Sequence, residues 1–265
     1  MSTEVGRPLV LVPGAWLGGW AWRKVARRLR ALGHEVHPIT LTGLGERVHL
    51  ASEEIDLETH ITDVVNVLDF ESLDDVVLVG HSYGGVVVTS VADRRAERLN
   101  AVVYVDTRPL PSGTAVADVQ PPELRERQQR DVQERGDGWR WPLVDRETPA
   151  SGVFGSAAGL AEQDFEALEQ RATAQPYATL TTPLALGHER PPGVRRVGVL
   201  CTAGGIDLAL LRSLVAQGDP RAAVFADDDW ELHELPTGHW PMFSMPDELA
   251  DLLHRAASVA AAASA

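Results

Sequence analysis

The chain has 265 residues, of which 44% are hydrophobic, and a formal net charge of −14 from 38 acidic and 24 basic side chains. This length supports one large core, or a core with an inserted subdomain, and the composition is that of a folded soluble protein. The acidic surface would repel phosphate backbones, which argues against nucleic acid as a partner.

Short apolar runs alternate with helical patterns along most of the chain. In chain order, the pattern predicts strands at 8–14, 34–40, 76–79, 101–105, 197–201 and 230–235, and helices at 20–32, 56–70, 83–99 and 246–257. The strands are rich in Val and Leu without polar alternation, as expected where both faces of a sheet are covered. The sequence therefore predicts an α/β fold with a mostly parallel sheet of about six strands flanked by helices.

Residues 108–193 interrupt this alternation. They contain polar helical stretches at 123–135 and 161–174, joined by segments rich in Pro and Gly. A disordered insertion is the alternative, but apolar residues recur at helical spacing at Leu160, Phe165 and Leu168. We interpret 108–193 as an inserted helical cap over the carboxyl ends of the strands, and 1–107 with 194–265 as the core.

Residues 80–84 read Gly-His-Ser-Tyr-Gly, directly after the predicted strand at 76–79 and before a predicted helix. Gly-x-Ser-x-Gly alone is a weak pattern, but strand, tight turn and helix is the order that a nucleophile elbow requires. Gly80 and Gly84 would avoid collisions with the neighbouring strand and helix. We therefore predict that Ser82 is a nucleophile, although a serine that merely caps a helix is the plainer alternative.

A serine nucleophile needs oxyanion donors and a base. The backbone N–H of Tyr83, the residue after the nucleophile, is one predicted donor, and that of Ala15, in the loop after the first strand, is the other. Pro13 has no N–H to donate. His239 follows the last predicted strand within Gly-His-Trp-Pro and is the predicted base.

The acid that should orient His239 has two candidates. In folds with a nucleophile elbow, the acid usually follows the strand before the last, which here is the fifth. Gly204 and Gly205 occupy that place. Asp207 comes later, where it could simply cap a helix. Asp106 ends the fourth strand and could reach His239 from there. We favour Asp106, with a turn-capping aspartate as its plainer interpretation.

Together, the runs at 9–22, 80–85 and 238–242 resemble the α/β-hydrolase superfamily, in particular the branch of plant methyl esterases, hydroxynitrile lyases and bacterial pyrethroid-type esterases. The resemblance implies Ser82 and His239 as nucleophile and base, and the backbones of Ala15 and Tyr83 as oxyanion donors. Two features depart from the family pattern. Pro13 replaces a usual histidine, and the usual acid position lacks its aspartate, which suggests relocation to Asp106.

These observations predict a serine hydrolase that cleaves an ester, or a related acyl bond, of a small and largely apolar molecule through an acyl-enzyme. Trp16 and Trp141 are predicted to line the substrate pocket, with core packing as the alternative. A lyase using the same Ser–His pair for proton transfer, and a non-catalytic binding protein, remain as alternative functions.

No metal or organic cofactor is implied by the sequence. Cys201 is the only cysteine, so neither an internal disulfide nor a cysteine-based metal cluster can form.

The sequence shows no signal segment and no apolar run long enough to span a bilayer, so we expect a cytoplasmic protein that does not associate with membranes. Its oligomeric state stays open.

Overall fold

A computed structural model of the chain describes residues 6–144, 155–188 and 190–259. The remaining residues, including the N-terminal five and parts of the predicted cap and core segments, lie outside the described ranges. Eight strands are present in the described ranges: β1 (Gly6–Val12), β2 (His34–Pro38), β3 (Val76–His81), β4 (Leu99–Val105), β5 (Arg140–Trp141), β6 (Gln175–Pro176), β7 (Arg195–Cys201) and β8 (Trp230–Leu235).

The α-helices alternate with these strands. They are α1 (Arg23–Ala31), α2 (Leu57–Phe70), α3 (Gly84–Arg94), α4 (Pro122–Arg135), α5 (Glu162–Arg171), α6 (Ala178–Thr181), α7 (Leu208–Ala216), α8 (Pro241–Ser244) and α9 (Pro246–Ser258). Asp56 caps α2, because its side chain accepts a hydrogen bond from the N–H of Thr59 at 3.0 Å. None of the described helices is both long and apolar enough to cross a membrane.

Six strands form one parallel sheet in the order β2-β1-β3-β4-β7-β8, which confirms the predicted fold class. Val10 and Val12 of β1 face the cluster formed with α2 and α3, whereas Leu9 and Leu11 face the cluster formed with α1 and α9. Both faces of the strand are thus fully buried, which explains the absence of polar alternation. Each such side chain contributes about 1.5–3 kcal/mol by leaving water.

The strand register aligns the carboxyl ends of three neighbouring strands. Val12 pairs with Gly80, and His81 pairs with Val105. The residues that follow β1, β3 and β4 therefore emerge at the same edge of the sheet. In open parallel sheets, this edge is where ligands bind.

The described residues between 108 and 193 contribute no strand to the six-stranded sheet. They form α4, α5, α6 and a two-stranded antiparallel ribbon in which Trp141 of β5 pairs with Gln175 of β6. The predicted helix at 161–174 is shorter than expected and ends at Arg171. The reason is that the N–H of Thr173 donates to the backbone oxygen of Trp16 at 3.0 Å, outside any helix.

The predicted helix at 83–99 was also too long. The helix α3 ends at Arg94, and Arg95 leaves the helical conformation with φ −137° and ψ 35°. A short 3-10 turn at Ala96–Arg98 follows, and Leu99 then enters β4 opposite Val76. Sheet pairing of Leu99 prevails over the local helical pattern because it buries this side chain in the core.

Candidate active site

Ser82 occupies the turn between β3 and α3. It has φ +51°, a left-handed conformation that is strained for a residue with a side chain. Its N–H donates to the backbone oxygen of Val105 at 3.2 Å, and α3 begins two residues later at Gly84. Hydrogen bonding to β4 and the start of the helix hold this turn in place, as in a nucleophile elbow.

Glycines make the tight turn possible. A Cβ at Gly84 would lie 2.8 Å from the backbone oxygens of Val12 and Pro13, and one at Gly80 would lie 2.6 Å from the oxygen of Gly84. These distances are too short for any side chain, which confirms the expected reason for glycine at both positions. Gly14 plays the same part in the facing loop, since its Cβ would lie 2.7 Å from His81 Nδ1.

The imidazole of His239 lies between two oxygen atoms. Its Nε2 is 2.9 Å from Ser82 Oγ, and its Nδ1 is 2.5 Å from Asp106 Oδ2. His239 is brought there by the loop after β8, from 157 residues beyond Ser82 in the chain. The arrangement allows Nδ1–H to donate to the carboxylate while Nε2 accepts the serine proton.

The backbone around His239 is held from two directions. His81 Nε2–H donates to the backbone oxygen of His239 at 2.6 Å, and the N–H of His239 donates to the oxygen of Ser156 at 2.7 Å. Burial, with a smaller effect of the nearby His239, lowers the pKa of His81 to about 3. His81 is therefore a neutral donor that fixes the loop carrying His239.

Asp106 follows β4 directly and has φ +48°. Its Oδ1 accepts a hydrogen bond from the N–H of Cys201 at 3.1 Å, so both carboxylate oxygens have partners. Burial by itself would raise the pKa of the Asp106 carboxyl, but the hydrogen bond and charge of His239, together with the Cys201 N–H, hold it below its usual value. The carboxyl is therefore ionised at neutral pH.

The other acid candidate, Asp207, is the N-cap of α7. Its side chain accepts a hydrogen bond from the N–H of Leu210 at 2.7 Å, the plainer interpretation considered for this residue. The structure thus brings Asp106, not Asp207, to His239.

The two predicted oxyanion donors lie on either side of the serine turn. Within the described part of the chain, neither the Ala15 N–H nor the Tyr83 N–H has a hydrogen-bond acceptor. The next N–H, that of Trp16, is occupied, since it donates to Gln175 Oε1 at 3.1 Å. Trp16 itself has φ +67°, so the loop after β1 is strained like the serine turn.

Two buried polar residues that the sequence analysis missed support these donors. Gln175 Nε2 donates to Thr179 Oγ1 at 2.8 Å, which fixes the amide group that holds Trp16. His60 Nε2–H donates to the Thr42 oxygen at 2.9 Å, and its Nδ1 accepts from the hydroxyl of Tyr83 at 2.8 Å. Neither residue belongs to a local motif that could have singled it out.

A cavity of about 590 Å³ opens over Ser82 and His239. Trp16 and Trp141 form part of its wall, with ring centroids 4.1 Å apart, and Trp16 Nε1–H donates to the Trp141 oxygen at 3.2 Å. The predicted pocket residues therefore lie at the candidate site. Among the described residues, no cluster of His, Cys, Asp or Glu side chains is arranged to bind a metal.

Two sequence relatives match this chain over nearly its whole length. A carbendazim-hydrolysing esterase from Nocardioides sp. (strain SG-4G) is 37% identical over 250 residues, which cover 92% of this chain and 97% of that protein. Methylesterase 7 from Arabidopsis thaliana is 25% identical over 270 residues, which cover 96% of this chain and 97% of that protein. These esterases support ester hydrolysis as the reaction class.

Solved structures share the fold. An extracellular alpha/beta-hydrolase from a Paenibacillus species superposes with a TM-score of 0.77 at 20% identity and covers 96% of this chain and 100% of its own. A pyrethroid hydrolase superposes with a TM-score of 0.63 at 18% identity, and the match covers 96% of this chain and 98% of that protein. The sequence profile described as the alpha/beta hydrolase family matches residues 9–252. These matches confirm the resemblance seen in the sequence, and the chain is an enzyme that belongs to the alpha/beta hydrolase family.

Proposed function

We propose that the protein is a serine esterase with Ser82 as nucleophile, His239 as base and Asp106 as the acid that orients it. The observation that carries this proposal is the continuous pair of hydrogen bonds from Ser82 Oγ to His239 and from His239 to Asp106 Oδ2. A serine hydroxyl is a weak nucleophile unless a base removes its proton as it attacks. His239 Nε2, 2.9 Å from Ser82 Oγ, would act as that base.

In the first half of the reaction, Ser82 Oγ attacks the ester carbonyl while its proton moves to His239 Nε2. The backbone N–H groups of Ala15 and Tyr83 stabilise the negative charge on the carbonyl oxygen. Collapse of the tetrahedral intermediate breaks the bond to the alcohol, which leaves with the proton from His239. An acyl group then remains on Ser82.

In the second half, His239 takes a proton from water, and the resulting hydroxide attacks the acyl carbonyl. The second tetrahedral intermediate releases the carboxylic acid, and Ser82 recovers its proton. Asp106 stays ionised throughout and stabilises the imidazolium of His239 that forms in each half.

For the substrate, we propose a small ester with a largely apolar body. The tryptophan rings of Trp16 and Trp141 offer an apolar wall next to Ser82. Two of its relatives are a methylesterase and a carbendazim-hydrolysing esterase, so methyl esters and methyl carbamates are the first compounds to test. No nucleic acid partner is proposed for so acidic a chain, and we propose a cytoplasmic location.

We also propose that residues 108–193 act as a cap. Trp141 in this segment contributes to the catalytic cavity, and Gln175 holds the loop of Trp16. On this view, the core at 1–107 and 194–265 supplies the reacting groups, whereas the cap shapes the space around the substrate.

The test combines turnover with covalent labelling. Wild-type protein should hydrolyse 4-nitrophenyl acetate and should be labelled at Ser82 by a fluorophosphonate, as mass spectrometry of the modified peptide would report. Ser82→Ala should lose both, while Ser90→Ala, which changes a buried serine of α3, provides a matched control. Ester turnover that survives Ser82→Ala would overturn the proposal.

A further inference from the structure

The catalytic cavity has a neighbour with which it shares a wall. A second cavity, of about 750 Å³, lies beside it, and Arg108 and Val119 line both. Arg108 follows Asp106 by two residues in the loop after β4. A cationic side chain therefore borders the space in which the candidate nucleophile reacts.

Arg108 forms no ion pair within the described part of the chain; Asp219 acts on it only at longer range and is itself paired with Arg221. The other arginines of the second cavity are paired: Arg221 forms an ion pair with Asp219, and Arg190 and Arg196 form ion pairs with the aspartates 227 and 229. Asp106 does not form an ion pair with Arg108, because its two carboxylate oxygens accept hydrogen bonds from His239 and from the Cys201 N–H. Arg108 is therefore a cation without an ion-pair partner among the described residues.

The surroundings make this isolation unfavourable. Burial, and then repulsion by Arg221, lower the pKa of Arg108 from its usual value. Arg108 is half-buried, so its charge loses part of its contact with water, and that partial loss carries a cost when no ion pair replaces it. A bound anionic ligand would supply the missing partner and remove that cost.

We propose that Arg108 binds a carboxylate carried by the substrate, so that the natural substrate is an ester with a free carboxylate at the end remote from the scissile bond. This inference rests on the proposed esterase function. The ester carbonyl would lie at Ser82, the apolar body against Trp16 and Trp141, and the carboxylate at Arg108. A guanidinium matches a carboxylate with two parallel hydrogen bonds, and its single charge balances a monoanion.

The charge of the whole protein sharpens this inference. A chain with a net charge of −14 repels anionic esters at long range. A preference for them therefore requires a local cation in the site. Arg108 is the cation that borders the catalytic cavity itself, since no other Arg or Lys lines it in the described ranges.

The experiment compares esters that differ only in charge. The probes are the monomethyl esters of succinic, glutaric and adipic acids and, for each, the neutral ester in which an amide replaces the free carboxylate. Hydrolysis is followed by titration of the released acid at constant pH. Three chain lengths are used to vary the distance between the ester carbonyl and the free carboxylate.

For at least one length, we expect wild type to show a kcat/KM about 10- to 100-fold higher for the acid than for the amide, as a charged hydrogen bond provides. Arg108→Gln should abolish this ratio, and Arg108→Lys should retain part of it. Arg28→Gln is the matched control: it removes one surface arginine, paired with Asp251, that lines neither cavity, and it should keep the wild-type ratio.

Each outcome decides the inference. The absence of a preference at all three lengths in wild type, or a preference that survives Arg108→Gln, would overturn it. If Arg108→Gln fails to fold, Arg108→Met takes its place, because it keeps much of the side-chain length without the charge and should likewise abolish the ratio. Failure of the esterase proposal is distinguishable, since it would abolish turnover of the neutral esters and labelling of Ser82.

Discussion

The side-chain oxygen of Gln175 accepts a hydrogen bond from the backbone N–H of Trp16 at 3.1 Å, joining two segments that lie 159 residues apart. The contact is fully buried at Gln175, and it occupies the N–H that immediately follows the proposed oxyanion donor Ala15. It therefore restrains the loop that carries the Ala15 N–H. A positioning function for Gln175 follows from this geometry.

Replacing Gln175 with Leu should lower kcat for ester hydrolysis about tenfold or more, because a small displacement of an oxyanion donor weakens transition-state binding. The unpaired Trp16 N–H should also cost about 1–3 kcal/mol of stability. Steady-state kinetics and denaturant unfolding measure the two effects. Gln217→Leu, which removes an exposed amide bonded to Ser213, is the control; equal losses of kcat in both variants would contradict a positioning function.

Asp106 and Asp207 can be separated by matched substitutions. Asp106→Asn should reduce kcat about 10⁴-fold, since the amide no longer holds His239 in the productive tautomer. Asn tolerates the left-handed backbone of this position, so the fold should persist. Asp207→Asn keeps a good N-cap and should leave both kcat and stability near wild type. The reverse pattern would assign the acid to Asp207.

Buried histidines should make the free energy of unfolding depend on pH. Burial lowers the pKa of His60 from 6.5 to about 4, despite its hydrogen bond to Thr42. Between these values, the unfolded chain binds more protons than the folded one. The stability associated with His60 is therefore full above about pH 6.5 and is progressively lost as pH falls toward 4.

The measurement is denaturant unfolding at several pH values. For His60→Gln, the slope of the free energy of unfolding against pH should fall by up to about 1.4 kcal/mol per pH unit in this window. His49→Gln, which replaces an exposed histidine, should keep the wild-type slope. An unchanged slope in His60→Gln would show that its burial does not limit acid stability.

Gly84 tests the close approach beneath the serine turn. Gly84→Ala places a Cβ 2.8 Å from the backbone oxygens of Val12, the last residue of β1, and Pro13. Backbone atoms held by the sheet give way less easily than a flexible side chain. We expect a loss of about 1–3 kcal/mol in stability from this overpacking. At Gly187 the nearest neighbour of an added methyl group would be a carboxylate oxygen at 3.7 Å, so Gly187→Ala should change stability by less than about 0.5 kcal/mol. Thermal unfolding compares the two.

The sequence predicted best what is encoded locally. The strand, turn and helix around Ser82 are contiguous, so a short motif and its flanks were enough to place the turn. The choice between Asp106 and Asp207 needed the order of strands as well. In the observed order β4 lies between β3 and β7, so Asp106 emerges next to the strand that precedes Ser82, and the function of this residue stays a prediction.

What escaped the sequence analysis are contacts without a local pattern. Gln175 and Arg108 belong to no motif. Gln175 matters because the fold brings it to the Trp16 N–H, and Arg108 because the fold places no ion-pair partner beside it among the described residues. His60 falls within the predicted helix at 56–70, and nothing in that pattern indicates that its ring contacts the Tyr83 hydroxyl. The end of α3 was misplaced because the pairing of Leu99 with Val76 is a property of the sheet.

The position of Asp106 has a consequence for how this enzyme can change. In the proposed triad, β3 and β4 supply the nucleophile and the acid, and β8 supplies the base, so the loop after β7 carries no reacting group. Yet Cys201, at the end of β7, and Gly204 and Ile206 of that loop line the catalytic cavity. This loop is thus a segment in which natural variation or engineering can alter substrate choice while the chemistry stays intact.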